Sequence, residues 1–343
     1  MSLKRLVPAL VFATLSSAAF TAFAAEPASL NHKDWELQCD NTRTCRAAGY
    51  QAEEGDSEPV SMLITREAGP DTLPSVQLQV QSEQEVTGAL QLQVGKLVLR
   101  GLEGDVANIA ARDVPELIRA LLDADSASVR AGKKVWTLSL AGVKAVLLKM
   151  DEAQGRLDTP GALVRRGRKP ERSVLPALPP PTIVAVIPPE NRKGDADIGA
   201  RAVRNLPKAA REEIQEECND KEHILEDLSV QRLDEQRLLV SAGCPEGAYN
   251  YSTINWIVST KPPHTPQRID PDGELDASTG LMSSVMKGRG IADCIASTEW
   301  QFDGKQFVQS GVSADGMCRG FPGGAWQLPS FVSRVVRPAK AKR

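Results

Sequence analysis

The sequence predicts an α+β, β-rich protein: two domains of mainly antiparallel sheet with a few helices, joined by a Pro-rich linker. Short runs of period-two alternation, such as Leu90-Gln91-Leu92-Gln93-Val94, recur along the chain. Helical spacing is confined to a few stretches of about ten residues. Between residues 168 and 195 the chain gathers Pro170, Pro176, Pro179, Pro180, Pro181, Pro188 and Pro189, which interrupts both patterns and favours an extended spacer. A length of 343 residues suits about two domains. With 25% charged and 41% hydrophobic residues the composition is that of a globular protein, not of a coiled coil, a disordered chain or a polytopic membrane protein. The formal charge of −3 gives no basic footprint for nucleic acid.

The chain opens with Lys4 and Arg5, an apolar run from Leu6 to Phe23, and Ala22-Phe23-Ala24. That order is a signal peptide over residues 1–24, cleaved after Ala24 to deliver the chain to the periplasm; the run is too short and too rich in Ala, Ser and Thr for a membrane anchor. No transmembrane segment is expected after cleavage. An N-terminal β-sandwich-like domain follows over 25–167. Trp35–Cys39 and Cys45–Gln51 form a hairpin about Asp40-Asn41-Thr42, and Ser61–Thr65 and Val76–Val80 are strands. Leu90–Val94 and Leu97–Leu99 flank a Gly95-Lys96 turn. Pro115 sits where a helix to about Leu122 begins, Trp136–Leu138 is a strand, and Ser139 is placed to cap a helix from Ala141 to Met150. After the linker, a C-terminal α+β domain spans 196–337. It holds an acidic helix over Lys208–Cys218, strands at Leu225–Leu233, Arg237–Ala242 and Asn250–Ser259, and a hairpin with Asp303-Gly304 as a two-residue apex. Residues 338–343 are a basic, solvated tail.

Six cysteines in an exported chain read as three disulfides. If the domains are modular, Cys39 pairs with Cys45. Cys218, Cys244, Cys294 and Cys318 then have three pairings open, of which 218–244 with 294–318 is preferred. Zinc would want C-x2-C pairs or clustered histidine, and neither occurs, so no metal is expected.

Three motifs carry a resemblance to a known family. They are Lys287-Gly288-Arg289-Gly290-Ile291-Ala292-Asp293-Cys294 with Cys318-Arg319-Gly320; Asp34-Trp35-Glu36-Leu37-Gln38-Cys39 with Cys45-Arg46-Ala47-Ala48-Gly49-Tyr50; and Leu148-Lys149-Met150-Asp151-Glu152-Ala153-Gln154-Gly155-Arg156. With them the chain resembles the bacterial periplasmic family called domain of unknown function 1176, over nearly all of the mature sequence. One departure is Ala292 and Ile295 about Asp293-Cys294, where the family usually has glycines. The front half is also loosely similar to the invasion-associated locus B proteins. The resemblance implies export, disulfides and two β-rich domains, and it carries over no catalytic residue.

No nucleophile elbow, phosphate loop or dinucleotide turn is present, and His32, His223 and His264 share no ligand spacing. Ser313 to Arg319 looks like a cysteine nucleophile motif, but a disulfide-bonded Cys318 is no thiolate. The Asp270–Asp276 run lacks calcium-loop spacing and is a solvated turn. No catalytic residue and no cofactor are therefore assigned, and whether the chain is an enzyme stays open, with the weight against. The expected function is a non-catalytic periplasmic binding or interaction protein of the cell envelope, for example an inhibitor- or immunity-type partner of an envelope enzyme. Its partner would be an envelope protein or an anionic glycan. The candidate binding residues are Lys287, Arg289, Asp293, Arg319 and Trp326, since glycines about Arg289 permit close approach and Arg and Trp are frequent anchors. A structural Arg289–Asp293 pair and a core role for Trp326 are the competing readings. The alternative function is an enzyme acting on cell-wall glycan or peptide through a carboxylate pair, with Asp293 as first candidate. Partner identity, oligomeric state and interdomain orientation are not legible.

Overall fold

The computed structural model describes residues 27–218, 223–247, 249–314 and 316–337. The expected signal peptide and the basic tail lie outside the described residues. The N-terminal half runs β1 (Ser29–His32), β2 (Trp35–Cys39), β3 (Cys45–Tyr50), β4 (Val60–Arg66), β5 (Ser75–Val80), β6 (Leu90–Val94), β7 (Leu97–Leu102) and β8 (Val106–Asn108). Then come α1 (Val114–Asp123), β9 (Ser126–Ala131), β10 (Lys134–Ser139) and α2 (Val143–Ala153). These strands form a six-stranded antiparallel sheet in the order β1-β2-β3-β4-β5-β8 and a four-stranded one in the order β10-β9-β6-β7. One core joins both sheets to both helices: Leu37, Met62 and Leu78 meet Leu92, Val129 and Trp136, with Leu117 and Leu121 of α1 and Val146 and Met150 of α2. Each such side chain contributes about 1.5–3 kcal/mol on burial. Helix α2 starts at Val143, two residues later than the expected Ala141. Its cap is Gly142 at φ 107°, where a Cβ would meet the carbonyl oxygen of His32 at 2.1 Å.

The second half contains β11 (Thr182–Val184), α3 (Asp195–Arg204), α4 (Lys208–Glu217), β12 (Leu228–Arg232), β13 (Arg237–Glu246), β14 (Asn250–Ser259), β15 (Pro266–Ile269), β16 (Glu274–Asp276), β17 (Leu281–Lys287), β18 (Ile295–Phe302), β19 (Phe307–Ala314), β20 (Leu328–Val332) and β21 (Arg334–Val336). Sheet β12-β13-β14-β15 carries α3 and α4 on a core of Val203, Ile214, Leu238, Val240 and Trp256. Sheet β16-β17-β18-β19-β20 meets it through Leu233, Leu239, Met282 and Phe302. Gly199 lets α3 lie close to the sheet, because a Cβ there would sit 2.9 Å from methyl groups of Val230 and Val240. The architecture is thus α+β and β-rich.

Three disulfides are formed, Cys39–Cys45, Cys218–Cys244 and Cys294–Cys318. The Asp303-Gly304 hairpin has a four-residue loop and not a two-residue one: Phe302 faces Phe307, and Asp303 Oδ1 accepts the N–H groups of Lys305 and Gln306. That longer loop, with a bulge at Glu299/Trp300, sets Ser297 opposite Ser313, the position a two-residue loop in strict register would give to Cys294. It brings Cys318 back towards Cys294.

The proline-rich segment is largely extended, with one 3-10 turn at Glu171–Ser173 and α3 beginning at Asp195, and it is bonded to both halves. Leu175 N–H and Leu178 N–H donate to the carbonyls of Gln154 and Thr42, β11 pairs in parallel with β21, and Val186 N–H donates to Phe302 O. It lies as a strap along the molecule.

Candidate functional site

The turn between β17 and β18 holds most of the residues singled out in the sequence. Gly288 N–H donates to Cys294 O and Ala292 N–H to Arg289 O, which closes the loop. Ala292 has φ 56°, so the left-handed conformation that glycine favours is required here, and alanine adopts it. Gly288 is needed for a different reason: a Cβ would lie 2.6 Å from Cys294 Sγ, so the glycine makes room for the disulfide. Arg289 spans the loop to Asp293. Its Nε donates to Oδ1 at 2.6 Å, its Nη2 donates to Oδ2, and Nη2 also donates to Cys318 O at 3.1 Å. Asp293 is fully buried and accepts Gly320 N–H at 2.5 Å as well. Burial pushes its carboxyl up, but the Arg289 and Gly320 hydrogen bonds outweigh this and hold it below the usual carboxylate range. Both oxygens are engaged inside the protein, so Asp293 is not placed to act as an acid or base across a cleft.

Arg319 and Trp326 lie elsewhere, in the contact between the two halves. Residues 316–328 cross the outer face of β3 and β4, where Ala48, Tyr50 and Leu63 pack against Phe321, Trp326 and Leu328. Trp326 is 8% exposed, with Nε1 donating to Ser61 Oγ at 2.6 Å. It is a packed side chain and not an exposed anchor. Arg319 is turned towards the N-terminal half. It donates to Asp34 Oδ1 at 3.2 Å and Gln51 O at 3.4 Å and is paired with Glu53 at 3.6 Å, while its own carbonyl accepts from Gln51 Nε2. Glu36 Oε1 accepts Met317 N–H at 2.8 Å. Burial raises the Glu36 carboxyl above its ordinary value, against the lowering effects of Met317, Tyr50 and Arg319. Gly316, at φ 45°, lets the chain pass beside Tyr50 and Glu36, whose oxygens a Cβ would meet at 2.2 and 2.3 Å. The five candidates therefore do not share one exposed face. Arg289 and Arg319 both neutralise internal carboxylates, and Lys287 stays at the outer edge of the loop.

The exposed residues missed in the sequence are Ile291, within the loop, Tyr249, which reaches its backbone, and Tyr251 at the start of β14, whose hydroxyl lies over Gly243 of β13. Tyr249 is 46% exposed, Tyr251 54% and Ile291 53%. Tyr249 Oη reaches Gly288 O at 3.4 Å, and the Asn250 side chain exchanges two hydrogen bonds with the backbone of Lys287. Single tyrosines in an alternating strand carry no signal that separates the outer face from the core.

The Asp151–Arg156 motif builds a second polar cluster. Asp151 accepts the N–H groups of Leu163 and Val164 at 2.8–3.0 Å and faces Arg66 Nη1 at 3.6 Å. Gln154 Nε2 donates to the carbonyls of Arg43 and Arg66, and Arg156 Nη2 donates to those of Glu67 and Gly69. These buried side chains tie together the β2–β3 turn, the β4–β5 loop and the segment after α2, in place of secondary structure. The only three-member group of metal-type donors found among the described residues, Asp293 with Cys294 and Cys318, has both sulfurs in a disulfide.

Fold and site together define a disulfide-stapled, β-rich protein in which, among the described residues, no helix is long and apolar enough to cross a membrane. The chain belongs to the family described as protein of unknown function (DUF1176), whose profile matches residues 29–333. It is similar to the uncharacterized protein YpfG of Escherichia coli (strain K12), 28% identical over 88% of this chain and 92% of that protein. Among solved structures, invasion associated protein B from Bartonella henselae is 17% identical with a TM-score of 0.30, and covers 37% of this chain and 99% of its own.

Proposed function

We propose that the protein is an exported, periplasmic, non-catalytic binding protein of the cell envelope, and that it holds an envelope protein through the face around Lys287. The observation that carries this reading is the set of half-exposed Tyr249, Tyr251 and Ile291 about a loop fixed by a disulfide and a buried ion pair. Aromatic side chains on a rigid loop lose little freedom on binding, and together with a cation they form the usual anchor of a protein interface. Lys287 and the outer side of Arg289, 49% exposed, suit a partner that presents carboxylates. The test is capture from a cross-linked periplasmic extract with the mature chain, using Tyr251→Ala with Lys287→Glu as control. One protein recovered near one to one by the wild type, and lost with a control that melts at the same temperature, is expected. Recovery of the same proteins by both refutes the face.

A further inference from the structure

A second candidate site lies wholly within the N-terminal half. A cleft of about 530 Å³ opens between α1, the 71–74 loop and the segment 160–166. Leu73, Pro74, Pro115, Ile118, Pro160 and Leu163 give it an apolar lining, with Leu73 73% exposed, and its polar lining pairs Arg66 and Arg166 with Asp71 and Glu171. A mostly apolar cleft of this size with a few placed polar groups is the normal form of a small-molecule site.

The polar group at its base is incompletely satisfied. Arg66 is 2% exposed; its Nε and Nη2 both donate to Thr72 O, at 3.2 and 3.0 Å. Its Nη1 is buried with no hydrogen bond. The neighbouring carboxylate of Asp151 stands 3.6 Å away and is already taken by Leu163 and Val164 N–H. A buried donor left without an acceptor is costly, and an incoming oxygen relieves that cost. Burial and the adjacent Arg156 depress the Arg66 pKa to about 10, against the opposing effect of the Asp151 and Glu171 carboxylates. At the rim stands the exposed guanidinium of Arg166.

We propose that this cleft binds a small amphipathic carboxylic acid, its apolar body on Leu73, Pro115 and Ile118 and its carboxylate accepting from Arg66 Nη1 with Arg166 at the rim. The site uses no residue of the face around Lys287, so the failure of one proposal leaves the other standing. The test is calorimetric titration of the full mature chain with decanoate, decanol and decyltrimethylammonium. Saturable one-to-one binding of decanoate is expected, at least about ten-fold tighter than decanol, with none for the cation. Leu73→Asp and Arg166→Glu, both at exposed positions, are each expected to weaken decanoate about ten-fold with the melting temperature unchanged. The absence of saturable decanoate binding overturns the proposal. So does equal affinity for decanol, or affinity unchanged in both variants.

Discussion

Replacing Asp151 by alanine removes a carboxylate that two backbone N–H groups and one buried guanidinium depend on. Leu163 N–H and Val164 N–H lose their acceptor, and Arg66, 2% exposed, loses its nearest negative partner. Breaking a buried pair by deleting one member costs about 3–5 kcal/mol. The stranded backbone donors add part of about 1–3 kcal/mol each. Allowing for overlap between the two effects, the loss should be about 4–6 kcal/mol, a large share of a usual stability of about 5–15 kcal/mol. Burial holds the Asp151 carboxyl above its ordinary value, against the N–H bonds and Arg66, so its ionisation is less favourable in the folded chain than in water. The aspartate is needed less for net attraction than because its partners are worse without it. Asp151→Asn keeps one acceptor and should lose about half as much. Urea unfolding by circular dichroism, with hydrogen exchange over residues 27–167 to locate the change, measures both variants. A loss below about 1 kcal/mol for Asp151→Ala, or Asn equal to wild type, would refute the reasoning.

Ala292→Gly should stabilise the protein by about 1 kcal/mol, because the residue sits at φ 56°, and a fall in melting temperature would contradict this. Replacing Cys294 and Cys318 together by serine opens a closure of 24 residues and should cost about 3 kcal/mol. The amides of 316–328 should then exchange faster, and unchanged protection there would count against the disulfide as the staple of that segment. For Asp195, the Arg232 hydrogen bonds, opposed by burial, set the pKa below the usual value. Its contribution is present above about pH 3.9 and lost as pH falls through the depressed pKa. Asp195→Asn should therefore flatten the acid limb of the stability curve. Glu36 has the opposite sign: burial raises its pKa, so its contribution to folding is fully present below about pH 4.3 and is lost as pH rises from there through the raised folded-state value. Unfolding free energies of wild type and Glu36→Gln, followed between acid and neutral pH, check it; a difference between the two that does not change with pH would reject the assignment.

Local signals were legible where a few adjacent residues decide the conformation. The Asp40-Asn41-Thr42 turn, the Gly95-Lys96 hairpin, the proline at the start of α1 and the acidic α4 all read correctly, since caps, turns and alternation act over a few residues. Helix α3 did not, because Gly199 and the alanines of Asp195–Arg204 leave only Ile198 and Val203 as large apolar residues to mark its period. Its stability comes from the close approach that the same glycine permits and from the Asp195–Arg232 pair, whose members are 37 residues apart. The Arg289–Asp293 contact was visible as a spacing of four, one of two readings. The direction of Arg319 was not, because its partners Asp34 and Gln51 lie more than 260 residues away in sequence.

The three motifs that mark the family therefore share one physical use. Asp293, Glu36, Asp151 and Gln154 each bind backbone groups where the chain has no ladder or helix of its own to satisfy them. Glycines 288 and 316 remove the side chains that would block those approaches. Two of the motifs meet: the second contributes Glu36 and Tyr50, and Met317, beside Cys318-Arg319-Gly320 of the first, docks against them. A contact held by a disulfide, an ion pair and a buried tryptophan fixes the β17–β18 loop relative to both halves. A surface meant for a partner gains from that rigidity, because less freedom is lost on association. On the proposed binding function, the family signature would position the face, and the contacts themselves would fall to Tyr249, Tyr251 and Ile291.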